Sequence, residues 1–194
     1  MGRNKRIESK KQIIDAAFEI MDSEGDSALT IRRISSKLGV SFMTPYNYIH
    51  DTKEIRREIL IRCFNIIYQK IYTKLNELVS KTNYGELEAY ARAYACAMYD
   101  FATEHREICV YLIGEGKRTF QKDAELGPFY DPFCVYLAGH GYTTETDMYK
   151  ILHSFECVVL SLLYEHTCLL RNISYEEYMQ TIELFIARMF SFLL

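Results

Sequence analysis

Between positions 42 and 48 the chain reads FMTPYNY, which crowds aromatic, thioether, hydroxyl and amide groups into one short segment. Helical spacing turns Pro45 and Ile49 to one face and leaves Phe42, Met43, Thr44, Tyr46, Asn47 and Tyr48 on the other. So aromatic an outer surface on so short a helix needs a partner. The chemistry on offer is recognition rather than bond-making. No G-x-S-x-G, phosphate-loop, G-x-G-x-x-G or H-E-x-x-H pattern occurs in the chain. Acidic residues fall mostly at helix starts and on polar faces, where capping accounts for them. His153, His166 and Cys157 form no convincing metal site. The chain therefore reads as a non-enzyme without a cofactor.

The elements around this segment read as helices throughout. Ile13, Ile14, Ala17, Phe18 and Met21 form the stripe of an amphipathic first helix, and Gly25 fits its C-terminal stop. Thr30 can cap a short second helix with Ile31, Ile34 and Leu38 inside. Gly39 ends it, and Ser41 can cap a third helix to about Ile49. Two short helices about a glycine turn are the unit of a helix-turn-helix, whose second helix fits the DNA major groove. Asp51 and Glu54 have capping-box spacing and open a fourth helix, from about Lys53 to Ser80. A fifth ends near His105, and a sixth covers Glu107 to Ile113. A looser glycine- and proline-bearing region follows, with a helix expected from Pro132 to Gly139. Thr144 with Asp147 opens a helix to about Leu170. The box Ser174-x-x-Glu177 opens the last, to about Phe192. The fold class is all-α, with an N-terminal three-helix domain over residues 1–52 and a helical domain over 53–194.

Composition supports this class. Apolar residues make up 49% of the 194, enough for a sizeable core, and only nine Gly and three Pro interrupt them. Residues 1–62 carry twelve Lys/Arg against nine Asp/Glu, and the remainder eleven against seventeen. In the first eleven residues Arg3, Lys5, Arg6, Lys10 and Lys11 face only Glu8. That basic start is either a solvated arm or a handle for an anionic partner. No signal peptide or membrane-spanning run is evident, so the expected location is cytoplasmic. The six cysteines, at 63, 96, 109, 134, 157 and 168, form no C-x-x-C pair and read as reduced, mainly buried thiols.

The stretch Thr30 to Lys53, TIRRISSKLGVSFMTPYNYIHDTK, resembles the DNA-binding domain of the tetracycline-repressor (TetR) family. That family shows T-x-x-x-I-A-x-x-x-G-V-S-x-x-x-x-Y-x-Y-F-x-x-K, and Thr30, Ile34, Gly39, Val40, Ser41, Tyr46 and Tyr48 stand in register. The match covers roughly residues 7–60. Ser35 replaces the usual Ala, Pro45 a usual Leu and Ile49 the usual Phe. Thr52 stands where the family has a phosphate-binding Lys, so either Lys53 takes that role or Thr52 makes a weaker neutral contact. The resemblance implies that Thr30 and Arg32 meet phosphates and that Phe42, Met43 and Thr44 approach base edges. Tyr46 and Tyr48 would bind phosphate through their hydroxyls, and Asn47 would read a base, its amide pairing well with adenine. Lys5, Arg6, Lys10 and Lys11 would add nonspecific attraction.

The resemblance further implies a homodimer on a pseudo-palindromic operator, its reading elements near one DNA turn apart, roughly 34–36 Å. The dimer would form through the last two helices, about 147–170 and 174–192. The final helix reads as apolar nearly all round. The middle of the chain would hold an unknown small-molecule effector, with Phe64, Tyr68, Tyr94, Met98, Phe101, Tyr111, Phe120 and Phe155 as candidate lining. The family's commoner outcome is repression relieved by effector. The alternative is a helical adaptor that docks a protein on the Phe42–Tyr48 surface, with little salt dependence and no preference among DNA sequences.

Overall fold

Thirteen side chains of one helix, Glu86–Glu104, are buried, and six of them are alanines. A helix buried on nearly every side belongs at the centre of a bundle, and its alanines let neighbours approach closely. A computed structural model describes residues 7–81, 85–116, 136, 138–141, 147–169 and 171–191. In it, seven α-helices run in chain order: α1 Lys10–Glu24, α2 Ile31–Leu38, α3 Thr52–Lys81, α4 Glu86–Glu104, α5 Arg106–Tyr111, α6 Asp147–Thr167 and α7 Tyr175–Ser191. Single 3₁₀ turns lie at Asp26–Ala28 and Thr44–Asn47, and a π turn at Leu112–Gly116 extends α5. No strand occurs among the described residues. The architecture is all-α. No helix among these residues is long and apolar enough to cross a membrane.

α3 lies along α4, and α5, α6 and α7 also pack on α4. α1 lies against α2, α3 and α5, which places the N-terminal helices at one end of the bundle. One hydrophobic cluster runs from Ile7 through Phe18, Ile59, Tyr94 and Phe155 to Met189. Polar contacts close the seam between α1 and the body. The Arg62 guanidinium lies 4.0 Å from the Phe18 ring centroid and its Nη1 donates to Asp15 (2.8 Å). His105 meets Asp22 at 2.9 Å and packs edge-on against Phe18. Gly25, at φ 81°, lets the chain leave α1 where an added Cβ would lie 3.3 Å from Glu107 Oε2.

The capping residues place most helix boundaries as expected. Thr30 Oγ1 accepts the Arg33 N–H, Asp51 Oδ1 the Glu54 N–H and Ser174 Oγ the Glu177 N–H. Three expectations need correction. The helix expected from Ser41 to Ile49 is a single 3₁₀ turn. α7 is not apolar all round: Tyr178, Ile182, Ile186 and Met189 are buried, while Glu176, Glu177, Gln180, Thr181 and Arg188 face out. Its outer side mixes these polar residues with exposed Tyr175 and Leu184, and α4 is the helix enclosed at the centre. Cys63, Cys96 and Cys109 are buried as expected, but Cys157 is exposed on α6. The capping expectation at Thr144, most of the helix expected from Pro132 to Gly139, and Cys134 lie outside the described residues.

Candidate nucleic-acid interface

α2 ends in a left-handed stop. Gly39 sits at φ 69°, ψ 34°, a region that favours glycine. Its N–H donates to the Ser36 carbonyl (3.2 Å) and the Val40 N–H to the Ser35 carbonyl (3.0 Å), the paired bonds of a Schellman motif. The chain then turns through Ser41, whose carbonyl accepts the Thr44 N–H (3.0 Å) and whose hydroxyl meets Thr44 Oγ1 (2.9 Å). Pro45 follows. It has no N–H to donate, and its ring disfavours the α-helical placement of the carbonyl four residues back. The turn therefore tightens to 3₁₀ over Thr44–Asn47 and closes when the Tyr48 N–H reaches the Pro45 carbonyl (2.9 Å). Pro45 and Ile49 are buried together, as the spacing predicts, and hold this turn on the core.

The outer side of the turn carries the expected chemistry in a shorter frame. Phe42 (49% exposed), Met43 (65%) and Tyr46 (42%) project into solvent, and Phe42 meets Tyr46 edge to face at 5.7 Å between centroids. Asn47 is exposed and Thr44 half-buried. Thr30, capping α2, and Arg32 within it are exposed, and Lys53 is exposed at the start of α3 beside a half-buried Thr52. Phe42, Met43, Tyr46 and Asn47 are exposed, while the Thr30 and Thr44 hydroxyls already meet the Arg33 N–H and the Ser41 hydroxyl.

Tyr48 differs. It is half-buried, and its hydroxyl donates to the carbonyl of Ile7 at 2.7 Å, 41 residues away. Lys10 is similarly engaged: its ammonium contacts Glu54 at 2.7 Å and Glu58 at 2.6 Å. Hydrogen bonding to these carboxylates raises the Lys10 pKa, and the His50 N–H, then Lys10, lowers that of Glu54. Arg33 pairs with Glu24 (2.6 Å) and Lys37 with Glu19 (2.9 Å) on a solvated face. Periodicity carries no trace of the Tyr48 and Lys10 contacts, because their partners lie more than forty residues away.

Within the body, Phe64, Tyr94, Met98, Phe101, Tyr111 and Phe155 are buried and Tyr68 is half-buried on α3. Phe120 lies outside the described residues. Tyr99, which sequence reasoning did not single out, and Tyr178 bind α7 and its approach to α4 through hydroxyls that donate to the Ile173 (2.8 Å) and Ala95 (3.0 Å) carbonyls. Burial pushes the Cys109 thiol up to about 12, with Cys63 also raised, so both are inert packing groups.

No protein-family model matches the chain. It is 29% identical over 97 residues to an uncharacterized HTH-type transcriptional regulator, YobS of Bacillus subtilis, a match covering 50% of this chain and 47% of that protein. It is 30% identical over 70 residues to an uncharacterized HTH-type transcriptional regulator of Mycobacterium tuberculosis, Rv0681, covering 36% of this chain and 30% of that protein. The chain thus spans less than half the length of these curated relatives. The similarity is to helix-turn-helix regulators, and the all-α fold with its α2–Gly39–turn unit is of that kind.

Proposed function

We propose that the chain is a TetR-type transcriptional regulator that binds a pseudo-palindromic DNA operator as a homodimer in the cytoplasm and is released by a small-molecule effector. The observation that carries the DNA-binding part is the exposed cluster of Phe42, Met43, Tyr46 and Asn47 on a turn held by buried Pro45 and Ile49. The similarity to two HTH-type regulators supports the same reading.

In this mechanism Asn47 pairs with a base edge, while Phe42 and Met43 pack on thymine methyl groups and Thr44 donates or accepts. Thr30, Arg32, Tyr46 and Lys53 contact phosphates and set the register. Arg32 and Lys53 supply the charge, with Lys53 in place of the family lysine. Residues 1–52 form the reading head and 53–194 the sensing and dimerising body. The two-fold contact uses α6 and α7, where Tyr164, Tyr175 and Leu184 are exposed. The effector enters the body near Phe64, Tyr68, Tyr94 and the other aromatic side chains. Effector and DNA favour different placements of the two heads, so each weakens the other's binding. The regulatory sign proposed is repression.

Selection of bound sequences from random DNA, followed by titration of selected and random duplexes at two salt concentrations, tests the reading. Asn47→Ala should cut the preference for the selected sequence by about tenfold, the scale of one bidentate base contact. Unchanged preference in that variant refutes the base-reading role. A wild-type chain with no sequence preference and no salt dependence would point instead to a protein-docking surface.

A further inference from the structure

A single 3₁₀ turn is a weak mount for a side chain that must meet a base edge. Its hydrogen bonds are less well aligned than those of an α-helix, and so short a run has no long ladder to stiffen it. The Tyr48 (2.9 Å) and Ile49 (3.2 Å) N–H groups both close this turn on the one Pro45 carbonyl. Asn47 is the last residue of the turn and is exposed. Two ties from outside the turn bracket it. Tyr48, the next residue, is half-buried, and its hydroxyl donates to the Ile7 carbonyl at 2.7 Å. Ile7 is 2% exposed, so the acceptor belongs to a seated stretch of chain at the entry to α1. Three residues after Asn47, the His50 N–H donates to Glu54 (2.8 Å), which in turn holds Lys10 (2.7 Å) at the start of α1. The exit of the reading turn is thus tied twice to the start of α1, once directly and once through α3.

We propose that Tyr48 is a positioning residue whose hydroxyl braces the exit of the turn against the entry to α1, so that the Asn47 amide meets a base edge at a fixed angle. This rests on the DNA-binding reading above and replaces the phosphate contact that the resemblance implies for Tyr48. An amide reads a base through two hydrogen bonds made at once, which demands placement to within about 0.5 Å. A phosphate contact carries no such demand and no sequence information. Loss of the brace therefore costs discrimination between sequences and spares the general attraction to DNA. Tyr48 determines specificity through Asn47, and its hydroxyl matters only while the Asn47 amide is there to be aimed.

The test is a double-mutant cycle on the full chain, with Tyr48→Phe, Asn47→Ala and both together titrated against a selected and a random duplex. Tyr48→Phe should narrow the selected-to-random affinity ratio by about three- to tenfold, the range of one hydrogen bond, and leave random-duplex affinity unchanged. In the Asn47→Ala background it should narrow the ratio by less than about twofold. Equal weakening on both duplexes overturns the proposal, since a phosphate ligand or a loss of folded chain acts on every sequence alike. Equal narrowing with and without the Asn47 amide overturns it as well, and so does a Tyr48→Phe chain that circular dichroism shows to be unfolded. Exchange of the Tyr48 hydroxyl proton, read from the deuterium isotope effect on the ring-carbon resonance, needs no variant. It should be slow before any duplex is added, and free exchange that slows only with duplex would put the hydroxyl on phosphate and overturn the proposal. A chain that prefers no duplex refutes the DNA-binding reading beneath the proposal, whereas a preference that Tyr48→Phe leaves intact refutes only the proposal.

Discussion

Ser35 is 3% exposed, and its hydroxyl oxygen has no hydrogen-bond partner among the described residues. A buried hydroxyl without a partner loses its water and gains nothing in exchange. Ser35→Ala should therefore be neutral or stabilise the fold by up to about 1 kcal/mol, read as the shift of a urea unfolding midpoint at constant slope. A destabilisation beyond about 1 kcal/mol would show that the hydroxyl has a partner in solution. Tyr48 and Lys10 teach the opposite lesson at the same scale. Each carries a group suited to phosphate, and each spends it inside the protein, on Ile7 and on Glu54 with Glu58. Residue type and register placed them at the interface. Their engagement depends on pairs 41 to 48 positions apart, which no local pattern encodes.

At the scale of elements, the start of α3 concentrates the local signals. Asp51 accepts the Glu54 N–H (2.9 Å) while Glu54 accepts the His50 N–H (2.8 Å) and holds Lys10. These donors lower the Glu54 pKa from its ordinary 4.5, the backbone N–H of His50 contributing most. A depressed carboxylate contributes stability above its unfolded pKa and loses it as pH falls through the folded value. Glu54→Gln should accordingly cost about 1 kcal/mol at neutral pH. It should also flatten the loss of stability below pH 4.5 in acid titration followed by circular dichroism. An acid limb identical to the wild type would remove Glu54 from this role. The caps at Thr30, Asp51 and Ser174 were legible in sequence because capping is local, a side chain meeting a backbone N–H three residues on. The 3₁₀ turn was not. Ser41 supplied a start and Ile49 an inward residue, so hydrophobic spacing favoured a full helix, and Pro45 overrode it by removing a donor in mid-turn. The turn therefore presents a tight knuckle of Phe42, Met43 and Tyr46 rather than the side of a helix.

For the whole molecule, the burial of α4 decides what remains for association. With α4 enclosed, α6 and α7 keep outer faces that carry Tyr164, Tyr175 and Leu184, the last 72% exposed. Placing a charge there should oppose a two-fold contact. Leu184→Lys should shift the chain to monomer at micromolar concentration in sedimentation and weaken operator binding by at least about tenfold, as two linked half-site contacts become one. A persistent dimer would move the association surface elsewhere. The sequence anticipated an apolar last helix but not its polar outer side, because composition counts apolar residues without saying which helix stands at the centre.

The hydrophobic cluster that joins Ile7 and Phe18 to Phe155 and Met189 makes the reading turn part of the same cooperative unit as the body. A ligand that binds only the folded chain raises the unfolding free energy of that whole unit, by about 2.7 kcal/mol at a concentration roughly one hundred times its Kd. Under the proposed function, occupancy of the body would therefore set how many copies of the chain escape proteolysis as well as where their heads stand. Cellular copy number and DNA affinity would then respond to the same ligand. For a regulator whose effector loosens DNA, the two act in opposite directions: the ligand that empties the operator also preserves the pool that refills it.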